Sequence, residues 1–172
     1  ITLYKELIAD NPENMGYYSL LLAYLGEKDR NDEADALLRN LAASPRDSVG
    51  FKIWLAQELT RENLSDIAAS AVKGFIADYP EEYKLRFALS RIYMVSQRRA
   101  DAIDILQEII ALDIEGADAQ AARATIAAYV WTFDNDRATA EAMANEMLAI
   151  EASNPVALQV RATFRLLDNN NI

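Results

Sequence analysis

One small residue followed by three apolar ones recurs in this chain at a fixed interval of 34 residues. The pattern is clearest at Ala68, Val72, Phe75 and Ile76, inside the stretch 68–80. An interval of 34 earlier stand Ala34, Leu38, Leu41 and Ala42, and the same interval later stand Ala102, Leu106, Ile109 and Ile110. Offsets of four, seven and eight residues place each set on a single helical stripe. Three copies in phase mean an internal repeat, and a repeat of this length is one supersecondary unit stacked on its neighbours.

Composition narrows what such an array can do. The 172 residues include no Cys and no His, so thiolate chemistry, the usual zinc ligand sets and any Ser–His or Cys–His dyad are excluded. Absent cysteine leaves the redox compartment open. The formal charge of −10 opposes general binding to nucleic acid and to anionic membrane surfaces. No apolar run approaches the roughly 18–20 residues of a membrane span. The glycines at 16, 26, 50, 74 and 116 are isolated, so no phosphate-cradling loop exists. Asp134-Asn135-Asp136 lacks the Gly and closing Glu of a calcium loop and reads as a turn with capping acids. Asn63-Leu64-Ser65 matches a glycosylation acceptor, a triplet common by chance. No cofactor and no metal site is expected.

Taken in order, the spacing predicts helices over 2–9, 14–26, 32–43, 48–60, 65–79, 81–96, 99–112, 119–132, 137–150 and 155–167. In the first, Leu3, Leu7 and Ile8 share one side. Gly26 is expected to close the second, Leu64-Ser65-Asp66 to cap the fifth, and Ser44-Pro45 to break the chain. Short polar connections make neighbours antiparallel. The fourth unit is stretched around Gly116, so that Ala140 follows Ala102 by 38 residues instead of 34. The fold class expected is all-α, a solenoid of about nine helices in antiparallel pairs. It divides as 1–12 (a second helix), the repeats 13–46, 47–80, 81–117 and 118–154, and 155–172 (a first helix), ending in the polar run 168–171. A lone second helix at the start and a lone first helix at the end predict either a slice of a longer array or disordered flanks, since arrays need polar caps.

Leu55-Ala56-x-x-Leu59 followed by Ala68, Val72, Phe75 and Pro80, and Leu89-Ser90-x-x-Tyr93 followed by Ala102, Leu106 and Ile109, resemble the tetratricopeptide repeat family. Small residues let neighbouring helices approach, and large ones fill the gaps between them. The chain departs from the family pattern at Leu22, at Lys52 and Arg86 in place of a large aromatic, at the early Pro45 and at Ile114 in place of a Pro. The resemblance implies a right-handed superhelix whose first helices line a concave groove. It implies no catalysis and a bacterial array, with a lean towards the cell envelope or periplasm. The basic and polar clamp by which some members hold a terminal carboxylate is missing, because the matching faces carry Ser19 and Ala23, then Ile53 and Gln57.

Phasing from the core positions selects the groove residues. These are Ile53, Gln57 and Thr60 with Trp54 and Arg61 beside them; then Lys84, Phe87, Arg91 and Met94; then Thr125, Tyr129 and Thr132, with Phe133 adjacent. Within 83–99 stand Lys84, Arg86, Arg91, Arg98 and Arg99 and no acid, interleaved with Phe87 and Met94. Such a stretch either attracts a ligand carboxylate or an acidic peptide, or pairs with acids of adjacent helices. The expectation is a scaffold binding a peptide or partner protein in the groove, with no nucleic acid and no membrane insertion. The alternative is a spacer or self-association module of a larger envelope or export protein.

Overall fold

The computed structural model describes residues 1–44 and 46–169. Pro45 and the last residues of the polar tail therefore lie outside the described residues. Ten helices and no strand occur among the described residues: α1 (Thr2–Asp10), α2 (Met15–Glu27), α3 (Asn31–Ala43), α4 (Val49–Arg61), α5 (Ser65–Asp78), α6 (Tyr83–Val95), α7 (Arg99–Leu112), α8 (Ala117–Asp134), α9 (Arg137–Ile150) and α10 (Pro155–Asn169). They form two compact units, Ile1–Arg99 and Ala100 onward.

In the first unit each hairpin packs on the next: α4 on α5, α6 on both, and α3 on α4 and α5. The repeat pattern supplies the reason. Ala34 and Ala68 are buried small residues that let α3 and α5 approach, while Leu38, Val72, Phe75, Leu55 and Leu59 fill the space around them. Tyr18 of α2 meets the Phe51 ring of α4 edge-on at 5.4 Å. Full burial of each Leu or Phe contributes about 1.5–3 kcal/mol, enough to hold short helices that are marginal alone. In the second unit α9 packs between α8 and α10, where Ala144, Met147 and Ala157 form a buried cluster. The Trp131 ring of α8 meets Phe164 of α10 at 4.8 Å. Arg137 of α9 covers the Phe164 ring and forks onto both carboxylate oxygens of Asp168 at 2.5 and 2.8 Å.

The turns inside the hairpins repeat as faithfully as the core. Asp29, Asn63 and Gln97, each 34 residues apart, all adopt left-handed backbone with φ of 54°, 61° and 60°. The residue after each closes the turn on a carbonyl five residues back: Arg30 N to Leu25 O, Leu64 N to Leu59 O and Arg98 N to Tyr93 O. This is the helix-ending geometry in which glycine is most favoured. Gly26 does not close α2, as expected from sequence; that helix continues to Glu27 and the left-handed residue is Asp29. Ser65 makes no side-chain cap on α5, where Leu64 holds the cap position, whereas Asn14, Ser48 and Asp136 do cap their helices. Leu3 faces solvent rather than the inward side of α1, because no residue of that helix is buried.

The departures at Lys52 and Arg86 have a structural explanation. Tyr18, Lys52 and Arg86 stand at one repeat phase, and each donates from its side-chain tip to a backbone carbonyl six residues earlier. The acceptors are Pro12 O at 3.1 Å, Arg46 O at 2.6 Å and Pro80 O at 2.6 Å. Tyr18 and these buried cations therefore serve one purpose: satisfying a carbonyl of the connection that enters their own helix. Arg123 does the same in α8, donating to Ile114 O at 2.8 Å. Its acceptor lies nine residues back, so three of the extra residues of this repeat sit in the loop before α8. The fourth sits in the next turn, where Asp136 N reaches six residues back to Val130 O past left-handed Asn135.

Candidate functional site

In the first unit α4 and α6 leave a cleft between them. Ala56, Gln57 and Thr60 line it from α4, and Ala88, Arg91, Ile92 and Val95 from α6. The walls are apolar, with Gln57 and Arg91 exposed at the rim. Thr60 returns its hydroxyl to Ala56 O at 2.7 Å, so the hydroxyl proton is already used.

The cations around this cleft divide sharply. Lys52 is buried, donating to Arg46 O and Asp47 O at 2.6 and 2.9 Å beneath the Phe75 and Tyr79 rings. Arg86 is buried on Pro80 O, and Arg98 lies over the Tyr93 ring at 4.4 Å. Arg61 pairs with Glu58 one turn before it and with Glu62 at 3.3 Å. Lys84 and Arg91 are different. Both are exposed, and among the described residues neither has an ion-pair partner.

The structure thus brings together Gln57, Thr60 and Arg91 of the residues chosen by phase. Ile53, Phe87 and Met94 are half-buried and lie outside the cleft lining. Trp54 is occupied in packing, with its indole N–H donating to Ser19 Oγ at 3.2 Å and its ring against Tyr18 and Phe51. Glu58 escaped sequence reasoning. Burial raises its carboxyl pKa, the Arg61 guanidinium pulls it back, and Glu62 raises it again. The one available signal was its position between Trp54 and Arg61 on the same helix face. Ala88, Ile92 and Val95 were also missed, since short or apolar groove walls look like core in a sequence.

The second unit has a cleft of its own between α8 and α10. Ala124, Ala127, Ala128, Trp131 and Thr132 line one wall, and Val156, Gln159, Val160, Thr163 and Phe164 the other, with no charged side chain. Tyr129 does not line it; its ring packs on Phe133 at 6.3 Å. Phasing from Arg123 selects Ala124, Ala128 and Trp131, which match Ile53, Gln57 and Thr60 counted from Lys52. Among the described residues, no group of His, Cys, Asp or Glu side chains is arranged to hold a metal, and no helix is long and apolar enough to cross a membrane.

No protein-family model matches the sequence, and no curated protein matches it. Solved structures share its architecture at low identity. The crystal structure of MamA is 16% identical, over 87% of this chain and 85% of that one, with a TM-score of 0.55. A tetratricopeptide repeat protein from Parabacteroides merdae is 14% identical, over 98% of this chain and 65% of that one, with a TM-score of 0.54. The fold is a divergent tetratricopeptide-type helical repeat. BtubC from P. vanneervenii is a further match at 16% identity, over 89% of this chain and 70% of that one, with a TM-score of 0.51. The two clefts described above lie between α4 and α6 and between α8 and α10, in each case helices separated in the chain by one other.

Proposed function

We propose that this chain is a non-catalytic protein-interaction scaffold that holds a segment of a partner protein against the α4–α6 cleft. The observation that carries the reading is the contrast among its cations. Lys52, Arg86 and Arg61 are engaged within the fold, while Arg91 stands at the rim of an apolar cleft with no ion-pair partner among the described residues. A guanidinium held beside apolar walls, in a chain of net charge −10, is a recognition element rather than a solubilising one. Helical repeats present such surfaces without any catalytic group, because each unit contacts only its neighbours.

The test is a photo-reactive amino acid at Gln57, in the cleft, against a control at Ser70 on α5. Irradiation in cells of the source organism is expected to give a discrete adduct from position 57 that weakens with the Arg91→Glu, Phe87→Ala double variant. A still-folded double variant with an unchanged adduct would overturn the placement. A second reading, self-association, is favoured by Val156, Leu158 and Leu166, which α10 leaves exposed. Concentration-dependent sedimentation that α10 substitutions abolish would support it.

A further inference from the structure

We infer that the α4–α6 cleft selects an internal acidic segment: an extended stretch with an Asp or Glu side chain on Arg91 and a small aliphatic side chain between Ala56, Ala88 and Ile92. The inference rests on the reading of this cleft as the partner site and adds the chemistry of its occupant.

Charge comes first. Arg91 offers a planar fork suited to a carboxylate, and its hydrogen-bonding capacity is not taken up by an acid of its own chain among the described residues. Lys84 lies seven residues earlier on α6, hence on the same face and about 10.5 Å away along the axis. A chain extended in the polyproline II conformation rises about 3.1 Å per residue and returns a side chain to the same side every third residue, so about three residues cover that distance. Two acids about three residues apart can therefore meet both cations. Phe87 stands between them on the helix, half-buried, and gives the intervening backbone an apolar surface to cross.

The polar inventory argues for a side chain over a chain terminus. A terminus supplies a single α-carboxylate, whereas two exposed cations, Lys84 and Arg91, stand about 10.5 Å apart on this face and call for two acids. A basic occupant meets no acid here: the lining contains none, and Glu58 is tied to Arg61 on the neighbouring face. The small volume of the cleft, about 70 Å³, suits a small aliphatic side chain rather than a ring.

The experiment uses the whole chain and three fluorescent probes blocked at both ends, each a short extended peptide of Val with Glu, Gln or Lys at every third position. Anisotropy at low salt is expected to show the Glu probe binding at least about fivefold more tightly than the Gln probe, with no binding of the Lys probe. Arg91→Gln should remove most of that preference and Lys84→Gln a smaller part. Both variants should keep the wild-type urea midpoint, since neither side chain is part of the core. Equal affinity for the Glu and Gln probes, or a preference that survives Arg91→Gln, overturns the inference. A Glu probe that binds tightly only with an unblocked C-terminus overturns it in favour of terminal-carboxylate capture. If the adduct at position 57 forms while the Glu probe shows no dependence on Arg91, the acidic class falls and the scaffold reading stands; if both fail, both fall.

Discussion

The donor that recurs at Tyr18, Lys52 and Arg86 makes a stability prediction that the apolar core alone would not. Lys52→Met keeps the aliphatic stem and removes the ammonium. Lost with it are two hydrogen bonds, of 2.6 and 2.9 Å, to Arg46 O and Asp47 O, and contacts of 5.4 and 4.8 Å to the Phe75 and Tyr79 ring centres. Hydrogen bonds to a charged group contribute about 1.5–3 kcal/mol each, and a desolvated cation–π contact about 1–2 kcal/mol. Against this, Met no longer carries the desolvation penalty of a side chain only 3% exposed, which returns several kcal/mol. The net loss is expected at about 2–3 kcal/mol. With a slope of about 1.5–2 kcal/mol per molar urea for a unit of this size, the midpoint falls by about 1–2 M. Lys52→Arg should recover most of it, because Arg86 performs the same task one repeat later. Lys73→Met is the control: Lys73 is exposed, 5.7 Å from the Tyr93 ring centre, and its loss should stay within about 0.5 kcal/mol. A Lys52→Met midpoint indistinguishable from that of Lys73→Met would refute the reasoning.

Other perturbations follow from the turns and from the half-buried carboxylate. Gln97 holds left-handed backbone, with φ of 60°, where Asn and Asp stand in the sister turns. Gln97→Gly is expected to raise stability by about 0.5–1 kcal/mol in chemical unfolding, and a fall would contradict the strain assigned to that turn. Folding raises the Glu58 pKa, chiefly by burial, so the folded protein holds that proton more tightly than the unfolded chain does. Ionisation therefore lowers stability as pH rises through the folded value. Glu58→Gln should be the more stable protein at about pH 7, with the advantage shrinking towards about pH 4; a gap that widens on acidification would reverse the sign.

How far the sequence could be read depended on whether a feature repeats in phase. The buried alanines 34, 68 and 102 and the large residues after them were legible because burial on a helix imposes its own period. The stretched repeat was legible as a stretch, but not where its residues went. That required seeing Arg123 reach Ile114 O and Asp136 reach Val130 O. Phasing from the core positions selects Tyr129, while the α8 wall of the cleft carries Ala128 and Trp131. Trp54, which flanks the phased groove positions, donates to Ser19 and packs against Tyr18, because an aromatic beside a core position packs wherever the neighbouring helix leaves room.

By itself the sequence determined an all-α array of two-helix units and ruled out thiol, imidazole and phosphate-loop chemistry, since periodic burial and missing residue types need no coordinates. Tertiary structure decided which cations belong to the fold and which face outward. Lys52 and Arg86 share one repeat phase and Arg91 has another, but what each tip meets, a carbonyl six residues back or an open cleft, is set only by the fold. A charge acquires its role from what lies within about 3 Å of its tip, and for a side chain this long that neighbour is set by the packing of the chain around it.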